Sequence, residues 1–412
     1  MLRRAMILPV VLVVIGLLSL VMAGFLFFVR AEVAGARAQQ DATQARLAAE
    51  SGLQELIIVL RESPEDPTAW WNVPERFRNA LVWSPSFDRE NDPVRKLGSR
   101  KEILEQISPP TAWRYSIVAP NLDGPTETFR YGITPEASKL NLNAASDEEI
   151  AALLLPLLGD LGLENAAELV ACLLDWRDED DEVRPGGAES EYYTRLEPGY
   201  YPKNGKLNTL DELLLVKGWT AATLYGEDTN RNGLLDLNEN DGDASFPYYD
   251  NRDNKLDVGV APYLTVWSHE PQQSGSAQGQ GQAQVKEGLI NVNTAPLRVL
   301  QVIMPAEVAA AVVAARAELS GEQLKDVQWV RAVIDPATYD QIKDKITTRA
   351  LQFHVEILGY GDHTRLARRY EWIIEMRGAL AQVLYHRDLT ALGLAWPIDD
   401  DTLVLSAGTT ER

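Results

Sequence analysis

The chain has 412 residues, a formal net charge of −21 and one cysteine, Cys172. Its length allows two or three domains, and an apolar content of 45% excludes a wholly disordered chain. The acid excess argues against nucleic acid as a partner, because phosphate contacts are made mostly by Lys and Arg, and a single cysteine excludes a disulfide framework.

The first predicted element is a membrane anchor. Residues 6–29 form an uncharged, mostly apolar run that follows Arg3 and Arg4. As a helix this run extends about 36 Å, enough to cross a ~30 Å hydrocarbon core. A cleaved secretory signal has a shorter apolar region of about 7–15 residues. The two arginines favour a cytoplasmic N-terminus, which places the rest of the chain outside the cytoplasm.

The anchor is followed by a stretch rich in Ala, Gln and Arg over residues 31–61. It has no proline, and its two glycines lower the helix propensity by about 1 kcal/mol each without ending the pattern. The stretch is either a juxtamembrane stalk or the second half of one long helix that packs against a soluble head.

Strands are predicted on both sides of a long central stretch. Residues 114–119 and 129–133 alternate polar and apolar side chains across a turn, which is typical of a β-hairpin. Three more antiparallel strands are predicted at 351–358, 367–376 and 381–388. The residues between the two groups indicate a large helical insertion, whose best helical segments are Leu153–Leu158, Ala166–Leu174, Leu210–Val216, Val299–Arg316 and Thr338–Ile346.

Two Asn-rich segments repeat inside the insertion, LNLNAA at 140–145 and INVNTAP at 290–296. Each precedes a helical run, as in helix-hairpin-helix modules that hold DNA phosphate on backbone N–H groups of a glycine-bearing hairpin. The first candidate hairpin carries Asp160 in its turn, and the second, at 303–307, has no glycine. We therefore interpret these modules as packing units rather than DNA-binding units.

The most distinctive motif is DTNRNGLLDLNE at residues 228–239. Counted as a twelve-residue calcium loop, it has oxygen ligands at every required position and glycine at position 6. The predicted Ca²⁺ ligands are Asp228, Asn230, Asn232, the backbone carbonyl of Leu234, Asp236 and Glu239. The alternative is a solvated acidic loop. Because no helix can follow directly, we expect a static clamp rather than a sensor that opens.

A degenerate copy of the loop follows at residues 249–260. Tyr249 removes the carboxylate of position 1, and position 12 has no acid. Asn254 at the glycine position tolerates the left-handed conformation. The copy either forms a second ion site or lends Asp250 or Asp253 to the first. The candidate ligands of a second metal are Asn251, Asp253 and Asp257.

A third acidic cluster, LDWRDEDDE at 174–182, precedes GAESEYY at 187–193. Paired carboxylates can serve acid/base chemistry or contribute to an ion site, but acids at a helix end with Arg177 and Arg184 as charge partners are the simpler interpretation. The sequence has no nucleophile elbow, Gly-rich phosphate loop or His-Glu-x-x-His motif. We therefore predict no enzymatic activity.

The order of these segments resembles the minor pseudopilin K family of type II secretion, GspK. The resemblance rests on the anchor and on KLNLNAAS at 139–146, LDWRDEDDE at 174–182, GAESEYY at 187–193, LDELLLVKGW at 210–219, PYLTVWS at 262–268 and INVNTAP at 290–296. It implies an α+β, pilin-like head in which a long N-terminal helix packs on an antiparallel sheet, with a large inserted, mainly helical domain that binds calcium.

The resemblance also implies a division of the chain. The expected segments are a leader at 1–5, the transmembrane anchor at 6–29, the periplasmic half of the long helix at 30–62, the first part of the head at 63–140, the inserted domain at 141–348, the C-terminal strands at 349–400 and a tail at 401–412.

The implied function is structural, at the tip of a short periplasmic pseudopilus anchored by a single pass in the inner membrane. Implied partners are the I- and J-type minor pseudopilins, the major pseudopilin and prepilin peptidase. The peptidase would cut between Ala5 and Met6, with alanine in place of the usual glycine, and Met6 would then be methylated. Val10 replaces the glutamate of most pseudopilins, which the K type is known to lack. The alternative is a membrane-anchored, calcium-stabilised binding or adhesion protein outside a secretion system.

Overall fold

The computed structural model describes residues 7–83, 112–123, 129–247, 250, 252, 254–271, 285–319, 321–362, 364 and 366–393. The candidate processing residues Ala5 and Met6 lie outside the described residues, as do the candidate second-metal ligands Asn251 and Asp253.

One long helix, α1 (Ile7–Glu62), forms the N-terminal part of the described chain. Its first half is apolar enough to cross a membrane, with a mean hydropathy of 2.9, and none of that window is buried. Its second half is different, because Ala49, Leu56 and Leu60 are fully buried against the rest of the protein. The residues after the anchor therefore continue the same helix and pack against the head, which is the second of the two predicted alternatives.

The helices after α1 are short. The described helices are α2 (Pro74–Phe77), α3 (Asp147–Asp160), α4 (Ala166–Arg177), α5 (Ser190–Tyr193), α6 (Ala221–Tyr225), α7 (Leu297–Ile303), α8 (Ala306–Ala317), α9 (Gly321–Leu324), α10 (Gln328–Val333) and α11 (Pro336–Ile342). Short 3₁₀ helices occur at Pro67–Ala69, Glu136–Ser138, Leu210–Leu215, Leu237–Glu239, Gly242–Ala244, Ala261–Tyr263 and Thr390–Leu392.

The strands form one main sheet and three small two-stranded ladders. They are β1 (Ala80–Trp83), β2 (Trp113–Pro120), β3 (Phe129–Arg130), β4 (Thr134–Pro135), β5 (Leu140–Asn141), β6 (Leu264–Thr265), β7 (His269–Pro271), β8 (Val285–Glu287), β9 (Ile290–Asn291), β10 (Ile346–Thr347), β11 (Gln352–Gly361), β12 (Ala367–Arg377) and β13 (Leu380–Asp388).

The main sheet has the order β1-β2-β11-β12-β13, with antiparallel neighbours throughout. The predicted hairpin is confirmed, because β2 and β3 pair antiparallel with Ala119 opposite Arg130. The three predicted C-terminal strands are confirmed as β11, β12 and β13. The chain is therefore α+β, and its mainly helical insertion lies between β4 and β11, as predicted.

Two glycines allow α1 to lie close to the sheet. A Cβ on Gly359 of β11 would lie 2.1 Å from the carbonyl oxygen of Ala45, and a Cβ on Gly52 would lie 2.7 Å from the ring of Tyr115. Because such distances are far below van der Waals contact, a larger residue would push the helix away. Gly52 thus lowers helix propensity but permits the packing of α1.

The helical predictions for the insertion are correct in part. Leu153–Leu158 and Ala166–Leu174 lie inside α3 and α4, but Leu210–Val216 forms a 3₁₀ rather than an α-helix. The run predicted from Val299 to Arg316 is divided into α7 and α8 by Pro305, which caps the start of α8. Proline lacks the N–H that a continuous helix needs at that point.

The two Asn-rich segments form a structural repeat. Asn141 and Asn291 both end a two-residue strand, β5 or β9, which pairs in parallel with β6 or β10. The side-chain oxygen of each accepts the N–H of the residue two positions on, Asn143 or Asn293, at 2.9 Å. A helix pair follows each turn, and both pairs contribute to one hydrophobic core.

Candidate metal centre

The first part of the predicted calcium loop is a series of tight turns that its own side chains hold. The carboxylate of Asp228 accepts the N–H groups of Asn232 and Gly233, each at 2.9 Å. The side-chain oxygen of Asn232 accepts the N–H of Leu234 at 2.6 Å. Gly233 has φ +69°. The glycine of the motif therefore adopts the left-handed conformation for which the loop needs glycine.

The second part of the loop closes on Asp236 and Glu239. Asn230 and Asn232 donate from Nδ2 to the same oxygen of Asp236, at 2.6 and 3.0 Å. Glu239 accepts the N–H of Thr229 through Oε1 at 3.0 Å and the N–H of Asp236 through Oε2 at 3.2 Å. Hydrogen bonds thus link the five predicted side-chain ligands within this loop.

Burial changes the protonation of the carboxylates at both ends of this loop. Asp228 is 7% exposed and Glu239 is fully buried. Desolvation raises the pKa of Asp228 to about 6. Desolvation, with the nearby charges of Asp228 and Asp236, raises the pKa of Glu239 to about 7. A hard cation would offset both effects, and the donor set consists of the oxygens that Ca²⁺ prefers. The residues present therefore fit the predicted ion.

Arg369 of β12 ties the loop to the main sheet. Its Nη1 donates to the carbonyl of Asn230 at 2.6 Å, and its Nη2 donates to the carbonyl of Arg231 at 2.5 Å. Its Nε pairs with the carboxylate of Glu356 on β11. Arg369 is 1% exposed. Sequence reasoning missed this residue, because it lies more than 130 positions from the loop and belongs to no local motif.

The degenerate copy repeats the backbone of the first loop at two positions. Arg231 and Gly233, at positions 4 and 6 of the first loop, have φ of 58° and 69°. Arg252 and Asn254, at positions 4 and 6 of the copy, have φ of 57° and 61°. Asn254 therefore adopts the left-handed conformation that we expected of it.

The copy also contacts the residue that directly precedes the first loop. The N–H of Asp257 donates to the carboxylate of Glu227 at 2.9 Å, and the N–H of Glu227 donates to the carbonyl of Asp257 at 3.1 Å. Asp250 accepts the N–H groups of Gly242 at 2.5 Å and Arg252 at 2.7 Å. These hydrogen bonds hold the described part of the copy next to the first loop. The ability of the copy to bind an ion stays a prediction.

The third acidic cluster contains the arginine pairs that we expected at a helix end. Arg184 pairs through Nη1 with Asp175 at 3.0 Å and with Asp178, and through Nη2 with Asp147 at 3.0 Å. Arg177 pairs with Asp147 at 2.6 Å. Asp175 is fully buried and also accepts the N–H of Ala188 at 2.8 Å.

Glu189 lies beside these pairs and is also buried. Desolvation, together with the charges of Asp175 and Asp178, raises the pKa of Glu189 to about 7. The sequence gives no sign of this, because the turn that carries Glu189 approaches Asp175 only in the folded chain.

Comparison with known proteins supports the family resemblance. Residues 138–225 match the first-domain model of type II secretion system protein K. Type II secretion system protein K of Klebsiella pneumoniae is 40% identical over 101 residues, which are 22% of this chain and 31% of that protein. The aligned stretch thus spans less than a third of the relative's length. These matches confirm the resemblance that the motifs indicated.

A search of solved structures also found a match. One chain of the GspK-GspI-GspJ complex from the type 2 secretion system of enterotoxigenic Escherichia coli superposes with a TM-score of 0.48 and 15% sequence identity, covering 86% of this chain and 98% of that chain. The family match ends at residue 225, before Asp228, so the candidate calcium loop depends on its own residues alone.

Proposed function

We propose that this chain, whose residues 138–225 match the family model of type II secretion system protein K, is a minor pseudopilin that takes part in pseudopilus assembly and in protein export across the outer membrane. The family match over those residues carries the proposal. The organisation of α1 agrees with it, because an exposed apolar half is continuous with a half that packs on the sheet.

The proposed location is the inner membrane, with a single pass over residues 6–29 and the C-terminal head in the periplasm. Prepilin peptidase would cleave between Ala5 and Met6, and Met6 would be methylated. The head would then extend from the membrane on the packed half of α1.

The proposed place in the filament is its tip. A charge inside a membrane needs a partner, and Val10 offers none to a subunit placed above it. The proposed partners are the I- and J-type minor pseudopilins and, below them, the major pseudopilin. In this role the protein is structural, without an enzymatic activity.

We further propose that the head is stabilised by Ca²⁺ in the loop from Asp228 to Glu239. Two buried carboxylates at the ends of the loop and its attachment through Arg369 support this. The ion would supply positive charge to the ligand oxygens of the loop, and its role would be to hold the loop against the sheet. A second ion would use Asn251, Asp253 and Asp257.

The test is deletion and complementation in a host that encodes the cognate secretion system, followed by immunogold labelling of the filaments. We expect the deletion to abolish appearance of secreted enzymes in the medium, the full chain to restore it, and the label to occupy one filament end. Label along the whole filament would contradict the tip placement. Normal export without the chain would favour the alternative, an anchored binding or adhesion protein.

A further inference from the structure

A cavity of about 710 Å³ lies between the main sheet and the insertion. Small-molecule sites in proteins have volumes of about 300–1,000 Å³ and are mostly apolar, with a few polar groups that fix the ligand. This cavity has such a wall, with apolar side chains from both sides of the gap. They include Leu122, Leu210, Leu235, Leu256, Val258 and Ile373. The cavity therefore suits an organic molecule with an apolar body.

Arg130 is a buried cation at the wall of this cavity. Its side chain is 3% exposed. Its Nη1 donates to the carbonyls of Trp71 and Ile133, and its Nη2 donates to the hydroxyl of Thr134 at 2.7 Å. Its Nε has no hydrogen-bond partner in the described chain. Because all these acceptors are neutral, the contacts leave the positive charge of Arg130 without compensation.

Two other arginines of the described chain are as deeply buried, and both have a carboxylate. Arg114 pairs with Asp362 at 2.9 Å, and Arg369 pairs with Glu356. Buried charges are normally paired, because the loss of solvation costs more than neutral contacts recover. Desolvation, which no carboxylate offsets, lowers the pKa of Arg130 well below its ordinary value. The structure thus leaves room for an anion at Arg130.

Arg231 presents a second guanidinium group to the cavity. Its Cζ lies 3.5 Å from the centroid of the Tyr225 ring, just as the Cζ of Arg130 lies 3.4 Å from that of Trp71. The guanidinium of Arg231 has no ion pair or hydrogen bond within the described chain. A stacked guanidinium is held by its face, so its N–H edge stays available to a planar acceptor such as a carboxylate.

Other charged groups at the wall limit the charge of the ligand. Ion pairs join Lys139 to Glu136, Arg316 to Asp123 and Arg387 to Asp211, at 2.8–3.3 Å. Glu371 also lines the cavity and lies 2.8 Å from His354. These carboxylates repel additional negative charge. A singly charged carboxylate therefore fits better than a doubly charged phosphate.

We propose that this cavity binds an organic anion that consists of a carboxylate on an apolar body. Arg231 would donate its N–H groups to the carboxylate, and Arg130 would contribute the charge of a buried cation. The apolar body would lie against the leucines of the wall. This site is distinct from the candidate calcium loop, and the proposal is independent of the role in secretion.

The test measures binding of 4-fluorobenzoate to the full chain in nonionic detergent by ¹⁹F NMR, at constant millimolar Ca²⁺. Detergent alone is the blank, and 4-fluorobenzyl alcohol is the matched neutral probe. We expect saturable binding of the acid, about tenfold tighter than that of the alcohol. Equal binding of the two probes would overturn the proposal, because the arginines would then contribute nothing.

Two variants locate the site. Arg231→Gln should weaken binding of 4-fluorobenzoate at least fivefold, and it leaves the candidate Ca²⁺ ligands in place, because position 4 of the loop supplies none. Arg130→Gln should weaken binding as well, although it also removes hydrogen bonds that support the fold. Arg195→Gln is the control, since Arg195 is exposed and pairs with Glu191; it should bind as the wild type does.

Thermal melting keeps the test independent of the stability of the variants. Saturating 4-fluorobenzoate should raise the melting temperature of the wild type and of Arg195→Gln, but not that of Arg231→Gln, each compared with the same protein without probe. An equal rise in Arg231→Gln and the wild type would overturn the proposal. Complete displacement of the probe by an equal concentration of inorganic phosphate would overturn the assignment to a carboxylate.

Discussion

Arg177 and Arg316 make the same two contacts in the two halves of the insertion. The Nη1 of Arg177 donates to the carbonyls of Leu142 and Ala145, at 2.6 and 2.7 Å. The Nη1 of Arg316 donates to the equivalent carbonyls of the second Asn-rich turn, those of Val292 and Ala295, at 3.1 and 2.7 Å. Each arginine lies in the last turn of the second helix of its pair and ties that helix to the turn before the first helix.

This symmetry predicts that both arginines matter for stability. We expect Arg177→Ala and Arg316→Ala each to lower the free energy of unfolding of the full chain in detergent by about 1–3 kcal/mol, because buried carbonyls lose their donor. Lysine should restore only part of the loss, since it lacks the planar fork of arginine.

The control for these variants is Arg298→Ala. Arg298 forms an ion pair with Asp160 in which both side chains are about half exposed, and such surface pairs contribute about 0–1 kcal/mol. Chemical denaturation followed by tryptophan fluorescence measures all five variants. A loss for Arg177→Ala or Arg316→Ala no larger than that for Arg298→Ala would contradict the role given to these two arginines.

Local sequence patterns predicted the strands and the loops, whereas contacts between residues far apart in the sequence could not be predicted from such patterns. The alternation in β2, β11 and β12 and the spacing of residues 228–239 are properties of short segments, so the sequence shows them directly. The pairing of Arg369 with Glu356 joins two strands, and its contact with the loop crosses more than 130 positions. No sequence motif near Arg369 or Glu356 predicts such a contact. Helix ends such as Met304 were missed because apolar periodicity continues across them.

Acid should destabilise the sheet through Glu371. Burial raises the pKa of Glu371, but the hydrogen bond and charge of His354, together with the charges of Arg231 and Lys139, outweigh it and lower that pKa to about 2. A depressed pKa gives stability that is complete above the unfolded value of about 4.3 and is lost as the pH falls towards 2. We therefore expect Glu371→Gln to show a weaker loss of unfolding free energy between pH 5 and 2 than the wild type, with the exposed Glu322→Gln as control. Parallel curves for wild type and Glu371→Gln would exclude this contribution.

The missing glutamate of the anchor gives a test in cells. We expect Val10→Glu to remain at the filament tip and to support export, because the variant gains a charge but no repeating contact with a subunit above it. The neighbouring Val11→Glu is the control, since its charge lies on a different side of the helix from position 10. Immunogold labelling measures the distribution. Val10→Glu label along the filament would show that position 10 alone excludes this chain from the shaft.

The calcium loop predicts a stability that depends on the ion. We expect a chelator to lower the melting temperature of the full chain, and Ca²⁺ to restore it better than equal Mg²⁺, which requires a smaller octahedral shell. Binding to the folded state alone adds about 2.7 kcal/mol at 100 times the dissociation constant. Glu239→Ala should remove most of this response, Asp253→Ala less of it, and the exposed Asp340→Asn none. Melting that is indifferent to chelator would remove the ion from this loop.

Arg369 couples that loop to the sheet, and its removal should separate stability from ion affinity. Arg369→Met keeps the length of the side chain but leaves Glu356 as a buried charge without this partner, which costs about 3–5 kcal/mol. It also releases the carbonyls of Asn230 and Arg231, so we expect weaker Ca²⁺ binding by calorimetry. Adding Glu356→Gln should recover much of the stability of the fold. It should not recover the Ca²⁺ affinity, because the loop still lacks its hydrogen bonds to Arg369. Arg368→Met is the control, since its side chain points to the opposite face of β12. If the double variant regained full affinity, the loop would be shaped by its own turns alone.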